Sequence, residues 1–301
     1  MSPTSPRALL LLSLAWVLAC DARAAPQPAS PAPPAAPAPA KAPAKPLPAP
    51  AAPIVPIDPG PVEPEAPTRA PRYTRAGDME YLEYVHVPRG TPADRRPGPD
   101  AKLPMLVAIH GLGDRPENFK QVVADLPVVA RVIVPRGLTP VDDGFSWFPI
   151  RARSPDVAGL SAGISKAADR LAVLIAELQR TRPTVGLPVI TGFSQGGMLS
   201  FTLAVYHPEL CAAAIPVGGW LPPPLWPSAL PERRPLPKIV ALHGEADPAV
   251  KYAPTREAVE HLEKLGWPAS LKSYPDVGHA IPPVVRRELY LQLGRALENT
   301  P

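Results

Sequence analysis

A serine set among glycines, where a strand must turn straight into a helix, limits this chain more than any other feature. The stretch is Thr191-Gly192-Phe193-Ser194-Gln195-Gly196-Gly197. Before it, Leu187-Pro188-Val189-Ile190 is a short apolar run of the kind that forms a buried strand. After it, the run from Met198 to His207 reads as a buried helix. Strand, sharp turn and helix together make the setting in which Gly-x-Ser-x-Gly works as a nucleophile elbow. Such a turn strains the serine backbone and pushes its hydroxyl out of the sheet. Gly192 and Gly196 remove the side chains that would collide across the turn. The helix N-terminus below offers unpaired N–H groups and a partial positive charge to a developing oxyanion. The bland alternative is a glycine-rich helix start carrying a solvated serine, and the partners found downstream weigh against it.

Prolines mark the domain boundaries. The 301 residues include 49 prolines, and residues 25–71 are mostly Pro and Ala without one aromatic side chain. Such a segment has too little apolar surface to bury and favours extended polyproline II, so it reads as a disordered, semi-rigid tether. Residues 72–301 are left for one domain, and a chain that is 46% hydrophobic has the material for a sizeable core. Residues 1–24 read as an export signal: Arg7 is followed by an apolar run, 8–19, too short to span a bilayer comfortably. Two cleavage readings compete. Ala22-Arg23-Ala24 fits ordinary secretion, whereas Val17-Leu18-Ala19-Cys20 resembles a bacterial lipobox, in which Cys20 becomes lipid-modified and holds the protein to a membrane. The long tether favours the anchored form, and Leu18 is unusual at its place in the box. The other cysteine, Cys211, lies in an apolar run and reads as a small core residue. The net charge of +4 is mild, and no Lys/Arg block with interleaved aromatics supports a nucleic-acid partner.

Taken in order, strands are expected at 81–87 (of edge type), 103–109, 131–134, 187–190, 211–217, 238–242 and 270–274. Helices are expected at 116–126, 156–182, 198–207, 255–265 and 283–299, and long loops at 135–150 and 220–237. Alternating strands and helices imply an α/β fold, a mostly parallel sheet with helices on both faces. In such sheets, sites form at the carboxyl ends of strands. Ser194, Asp247 and His279 all fall at such ends, in the chain order Ser, Asp, His. The chemistry divides among them: His279 takes the serine proton, and Asp247 fixes the imidazole tautomer and stabilises its charged form. Glu245 and Asp276 compete for the acid role, but Asp247 sits before Pro248 in the loop after the penultimate strand. For the oxyanion, backbone N–H groups are expected from Gln195 and from Leu112, whose glycine neighbours let the backbone approach a ligand. His110 and Asp114 read as structural. No cluster has the spacing of metal ligands, so neither metal nor cofactor is expected.

The motifs His110-Gly111-Leu112-Gly113-Asp114, Ser146-Trp147-Phe148, Gly192-Phe193-Ser194-Gln195-Gly196-Gly197, Gly219-Trp220-Leu221-Pro222, His243-Gly244-Glu245-Ala246-Asp247 and Gly278-His279 resemble, in this order, the carboxylesterase/phospholipase family of α/β hydrolases. That family includes the acyl-protein thioesterases. The resemblance runs from about Leu103 to Leu297. It implies an α/β-hydrolase fold and hydrolysis of carboxylic esters or thioesters through an acyl-serine, and it places Ser194, Asp247 and His279 in the triad. Pro149 stands where the family usually has an aspartate, and the signal and tether are absent from most relatives. Trp147, Phe148, Trp220 and Leu221 are expected to border the acyl groove and to narrow it, giving a preference for short to medium acyl chains. Two other readings stay open: a peptidase or polyester depolymerase using the same triad, and a catalytically dead binding module.

Overall fold

The computed structural model describes residues 73–98, 100–232 and 235–300. The export signal, Cys20 and the 25–71 tether lie outside the described residues. The strands are β1 (Thr74–Ala76), β2 (Met79–His86), β3 (Met105–Ile109), β4 (Ala130–Pro135), β5 (Thr139–Val141), β6 (Gly144–Ser146), β7 (Val189–Phe193), β8 (Ala213–Val217), β9 (Lys238–Gly244) and β10 (Ala269–Tyr274). The helices are α1 (Pro116–Phe119), α2 (Val157–Thr181), α3 (Gln195–Tyr206), α4 (Tyr252–Leu265) and α5 (Pro283–Glu298).

Eight strands form one sheet in the order β1-β2-β4-β3-β7-β8-β9-β10, and only β2 runs against the rest. The uninterrupted apolar runs of β3 and β8, and β4 with its one arginine, are buried at every position, as strands covered on both faces must be. Side chains alternate between two cores. Met105, Val107 and Ile109 face the core built with α2, α3 and α4, whereas Leu106 and Ala108 face the core built with Phe119, Val123 and α5. The serine-bearing strand β7 is central, with β3 on one side and β8 on the other. Its following helix, α3, is buried all round, which is why its sequence carries no polar stripe.

Helix α2 is amphipathic. Leu160, Ile164, Leu171, Leu174, Ile175 and Leu178 are buried along one stripe. Asp156 caps its start by accepting the Gly159 N–H at 2.8 Å. It stops at Arg182, because Pro183 disfavours helical geometry in the residue before it. Arg182 then ties the helix end to the sheet. Its Nε donates to both carboxylate oxygens of Glu83 at 2.9 and 3.0 Å, and its Nη2 donates to the Tyr81 hydroxyl at 3.0 Å. Arg131 of β4 donates to the same carboxylate at 2.7 Å from an almost fully buried position.

Three expectations need correction. The 81–87 stretch is not an edge strand, because β1 folds back through Gly77 (φ +56°) and covers its outer side. β1 has three residues, too few to show a period in sequence. The 116–126 helix is one α-helical turn continued by a 3-10 turn, Lys120–Val123. Phe119 and Val123 still reach the core, so the apolar pair that reads as a helix face is buried although the α-helix does not continue. The 135–150 loop contains the hairpin β5–β6, closed by Asp142 and Asp143, with Asp142 at φ +49°. Its strands are again three residues long, and the Asp143-Gly144 pair is set one place beyond the two turn residues, Asp142 and Asp143, where such a pair announces a hairpin.

The Glu83 carboxylate joins two strands and a helix end, and removing its charge leaves two arginines facing one neutral oxygen. Glu83→Gln is expected to destabilise the domain by about 3 kcal/mol, the cost of breaking a largely buried ion pair. Urea unfolding should show a lower midpoint with an unchanged slope.

Candidate active site

The turn after β7 holds Ser194 at φ +56°, ψ −115°, a region that L side chains rarely occupy. Such a conformation costs on the order of 1–3 kcal/mol and persists only where the surroundings over-determine it. Here the Ser194 N–H donates to Val217 O at 3.0 Å on β8, and the Ser194 carbonyl accepts the Met198 N–H at 3.0 Å in the first turn of α3. Glycine makes this crossing geometrically accessible. A Cβ on Gly196 would stand 2.0 Å from the Ile109 carbonyl oxygen of β3. A Cβ on Gly192 would stand 2.4 Å from the Gly196 carbonyl oxygen.

Two further strand ends, those of β9 and β10, bring the remaining groups to this hydroxyl. His279 Nε2 lies 2.9 Å from Ser194 Oγ. His279 Nδ1 donates to Asp247 Oδ2 at 2.7 Å. The Phe193 ring packs beside the imidazole, 4.6 Å between centroids. Asp247 is buried, and its Oδ1 accepts the N–H groups of Ala249 and Val250 at 2.8 and 2.9 Å. His243 fills the space behind it. Its Nε2 donates to Val250 O at 2.9 Å and stands 3.5 Å from Asp247 Oδ2. Burial alone would raise the Asp247 pKa, but contacts from His243, His279 and the Val250 amide outweigh it and hold the carboxyl well below the usual carboxylate range. The competing acids point elsewhere: Asp276 is exposed, and exposed Glu245 accepts from Ser273 Oγ at 2.6 Å.

The N–H groups of Leu112 and Gln195 have no acceptor among the described residues, and both residues line the same cleft as Ser194. The loop carrying Leu112 is braced from three sides. The β5–β6 hairpin clamps it, with Gly113 N–H donating to Phe145 O at 2.9 Å and Phe145 N–H donating to Asp114 O at 3.0 Å. His110 is fully buried; its Nδ1 donates to Gly111 O at 2.7 Å and its Nε2 accepts the Gly137 N–H at 3.0 Å. Burial keeps this imidazole neutral by lowering its pKa, although the Gly111 carbonyl pulls the other way. Trp147 Nε1 donates to His110 O at 2.9 Å.

That contact bears on the expected groove. Trp147, Phe148, Trp220 and Leu221 are all buried in the α2–α4 core, and none of them lines the cleft. Two forces turn the first pair inward. Large aromatic area is better removed from water, and the side chain of Gln195 stitches their backbone in place. Its Oε1 accepts the Trp147 N–H at 3.0 Å, and its Nε2 donates to Phe148 O at 2.9 Å. Trp220 and Leu221 are drawn in with the segment after β8, where Gly219 meets the Gly197 backbone. The walls of the cleft are instead Leu112, Phe193, Met198, Ala152, Ala249 and Val250, with Arg151, Arg153 and Asp114 among its other lining residues. Its volume is about 420 Å³. Met198 was within reach of sequence reading, since it sits on the first turn of the helix below the serine. The two arginines gave no signal, because their loop has no period.

Residues 97–290 match the phospholipase/carboxylesterase family. Acyl-protein thioesterase 1 of Mycosarcoma maydis is 29% identical over 211 residues, spanning 61% of this chain and 87% of that protein. Among solved structures, esterase PE8 superposes with a TM-score of 0.57 at 22% identity, over 65% of this chain and 94% of that one. Zea mays acyl-protein thioesterase 2 superposes with a TM-score of 0.54 at 24% identity, over 71% of this chain and 98% of that one. At these identities the structural likeness is one of fold.

The depressed pKa of Asp247 links the site to stability. Ionised Asp247 stabilises the folded chain fully above the unfolded carboxyl value, about 3.9, and this contribution is lost as pH falls toward the lower folded value. The destabilisation caused by Asp247→Asn should therefore be larger at pH 7 than at pH 3. Urea titrations of both proteins at the two pH values check this, and an equal gap at both would contradict it.

Proposed function

The chain belongs to the phospholipase/carboxylesterase family, and on that premise we propose that it is a serine hydrolase of carboxylic esters, working through an acyl-serine. One observation carries the reading: Ser194 Oγ, His279 and Asp247 form an unbroken hydrogen-bond line, 2.9 and then 2.7 Å, at the floor of a cleft. His279 Nε2 takes the hydroxyl proton as Ser194 Oγ attacks the acyl carbon. Asp247 stabilises the imidazolium that results. The oxyanion of the tetrahedral intermediate faces the N–H groups of Leu112 and Gln195, held ready by the braced loop and the helix start. His279 then gives its proton to the leaving oxygen, and a water repeats the cycle on the acyl-serine. The neutral, buried His110 takes no part in proton transfer and keeps the Leu112 loop in place.

A thioester substrate is a second reading, favoured by the relation to acyl-protein thioesterase 1. The triad needs no change for it, because a thiolate leaves more readily than an alkoxide. Our reading includes export. The pattern of residues 1–24 supports it, with either Cys20 as an anchor or release after Ala24. An exported enzyme meets small ester substrates outside the cell rather than acylated cytoplasmic proteins.

Substrate length follows from the size of the cleft, not from aromatic narrowing. A volume of about 420 Å³ is toward the small end of ligand clefts, which run from about 300 to 1,000 Å³. Each methylene that finds apolar wall contributes about 0.8 kcal/mol, so kcat/KM should rise along p-nitrophenyl acetate, butyrate and hexanoate. Beyond the wall it should fall, and a maximum at palmitate would refute the short-cleft reading.

Ser194→Ala is expected to lower kcat by on the order of a million-fold, with the unfolding midpoint held, because the backbone contacts that fix the turn remain. Fluorophosphonate labelling should disappear with it. Ester turnover at the wild-type rate by this variant would end the proposed mechanism.

A further inference from the structure

Resting on the hydrolase reading, we propose that Arg151 and Arg153 make the cleft selective for esters that carry an anionic group, a carboxylate or a phosphate, beside the ester bond. Both guanidinium-bearing residues are exposed and both line the cavity that holds Ser194. Neither forms an ion pair or a side-chain hydrogen bond among the described residues. The acid nearest in sequence, Asp156, is committed to the cap of α2.

Their position is fixed from below. Ile150 and Ala152 pack on the α2–α4 core, and the Ser154 N–H closes the turn onto Arg151 O at 2.9 Å. Pro149 and Pro155 stiffen the two ends of the segment. The residues between and beside these anchors therefore present two positive charges to the cleft. One opposing charge lines the same cleft: Asp114, whose Oδ1 already accepts the Arg115 N–H at 2.8 Å. Asp247, the other carboxylate of the site, is buried behind His279, so at the cleft surface two cations face one anion and an anionic group of the substrate meets the arginines first. Arginine suits the task, since its planar fork matches a carboxylate or phosphate in two hydrogen bonds.

The test compares matched esters, each rate divided by its rate with hydroxide. On the acyl arm, mono-p-nitrophenyl adipate is set against p-nitrophenyl hexanoate. On the alcohol arm, the acetate ester of meta-hydroxybenzoate is set against phenyl acetate. The wild-type protein should favour the anionic member of at least one pair, chiefly through KM, and added salt should erode that preference. In Arg151→Gln/Arg153→Gln the anionic-to-neutral ratio of kcat/KM should drop about five- to tenfold, within the roughly two- to thirtyfold span for two solvent-exposed charge contacts. Arg151→Lys/Arg153→Lys should restore most of it. Turnover with no anionic preference in either pair, or a ratio unmoved by the glutamine variant, overturns this inference and leaves the hydrolase reading standing. No turnover of any ester overturns both.

Discussion

Backbone must pass backbone at contact distance where β7 gives way to α3, and the rest of the molecule is arranged to allow it. No side chain fits between Gly196 and the Ile109 carbonyl, or between Gly192 and Gly196. The gap closes only because β3 lies beside β7 in parallel register, with Ile109 opposite Gly192. β8 supplies the carbonyl of Val217 that pins the Ser194 N–H on the other side. A central strand flanked on both sides is thus a mechanical need. It lets the chain hold a conformation that an isolated turn would abandon.

Around that turn, buried polar groups are wired into two sets. One set orients Asp247: two backbone amides hold one carboxylate oxygen, and His279 takes the other, with His243 behind. The other set shapes the Leu112 loop through His110, Trp147 and Gln195. Gln195 serves both the turn and the loop. Its backbone follows the serine, and its side chain holds the segment on which Trp147 sits. A buried group with its partners in place gains from the low local dielectric, whereas one left unpaired is costly. Both sets therefore rigidify the positions on which catalysis by preorganised dipoles depends.

The elements that sequence located were those with a strong, repeated signal. β3 and β8 are continuous apolar runs, β7 and β9 hold shorter ones, and α2 has a stripe several turns long; each was placed within a few residues of its observed bounds. β1 and the β5–β6 hairpin have strands of three residues, shorter than any period can reveal. The 3-10 turn after α1 escaped for a related reason, since Lys120–Val123 is too short to show a period and Phe119 and Val123 are both buried, as an α-helix would have them. Burial of the aromatics was misjudged because a residue's place in a loop near the site says nothing about which way it faces. Trp147 faces inward through hydrogen bonds to His110 and Gln195, which are far from it in sequence.

By itself, the sequence determined that a serine sits on a glycine-lined turn between a buried strand and a buried helix. It also determined that an aspartate and a histidine follow at the ends of later strands. These are local facts, carried by residue type and short-range apolar pattern. The tertiary structure alone decided that Ser194, His279 and Asp247 stand within hydrogen-bonding distance, because that depends on the parallel order β7-β8-β9-β10. It also decided which residues wall the cleft. Loop side chains turn toward core or solvent according to contacts made across the whole domain, and no local pattern encodes that choice. Hence Trp147 and Phe148 went to the core, and Arg151 and Arg153 went to the opening.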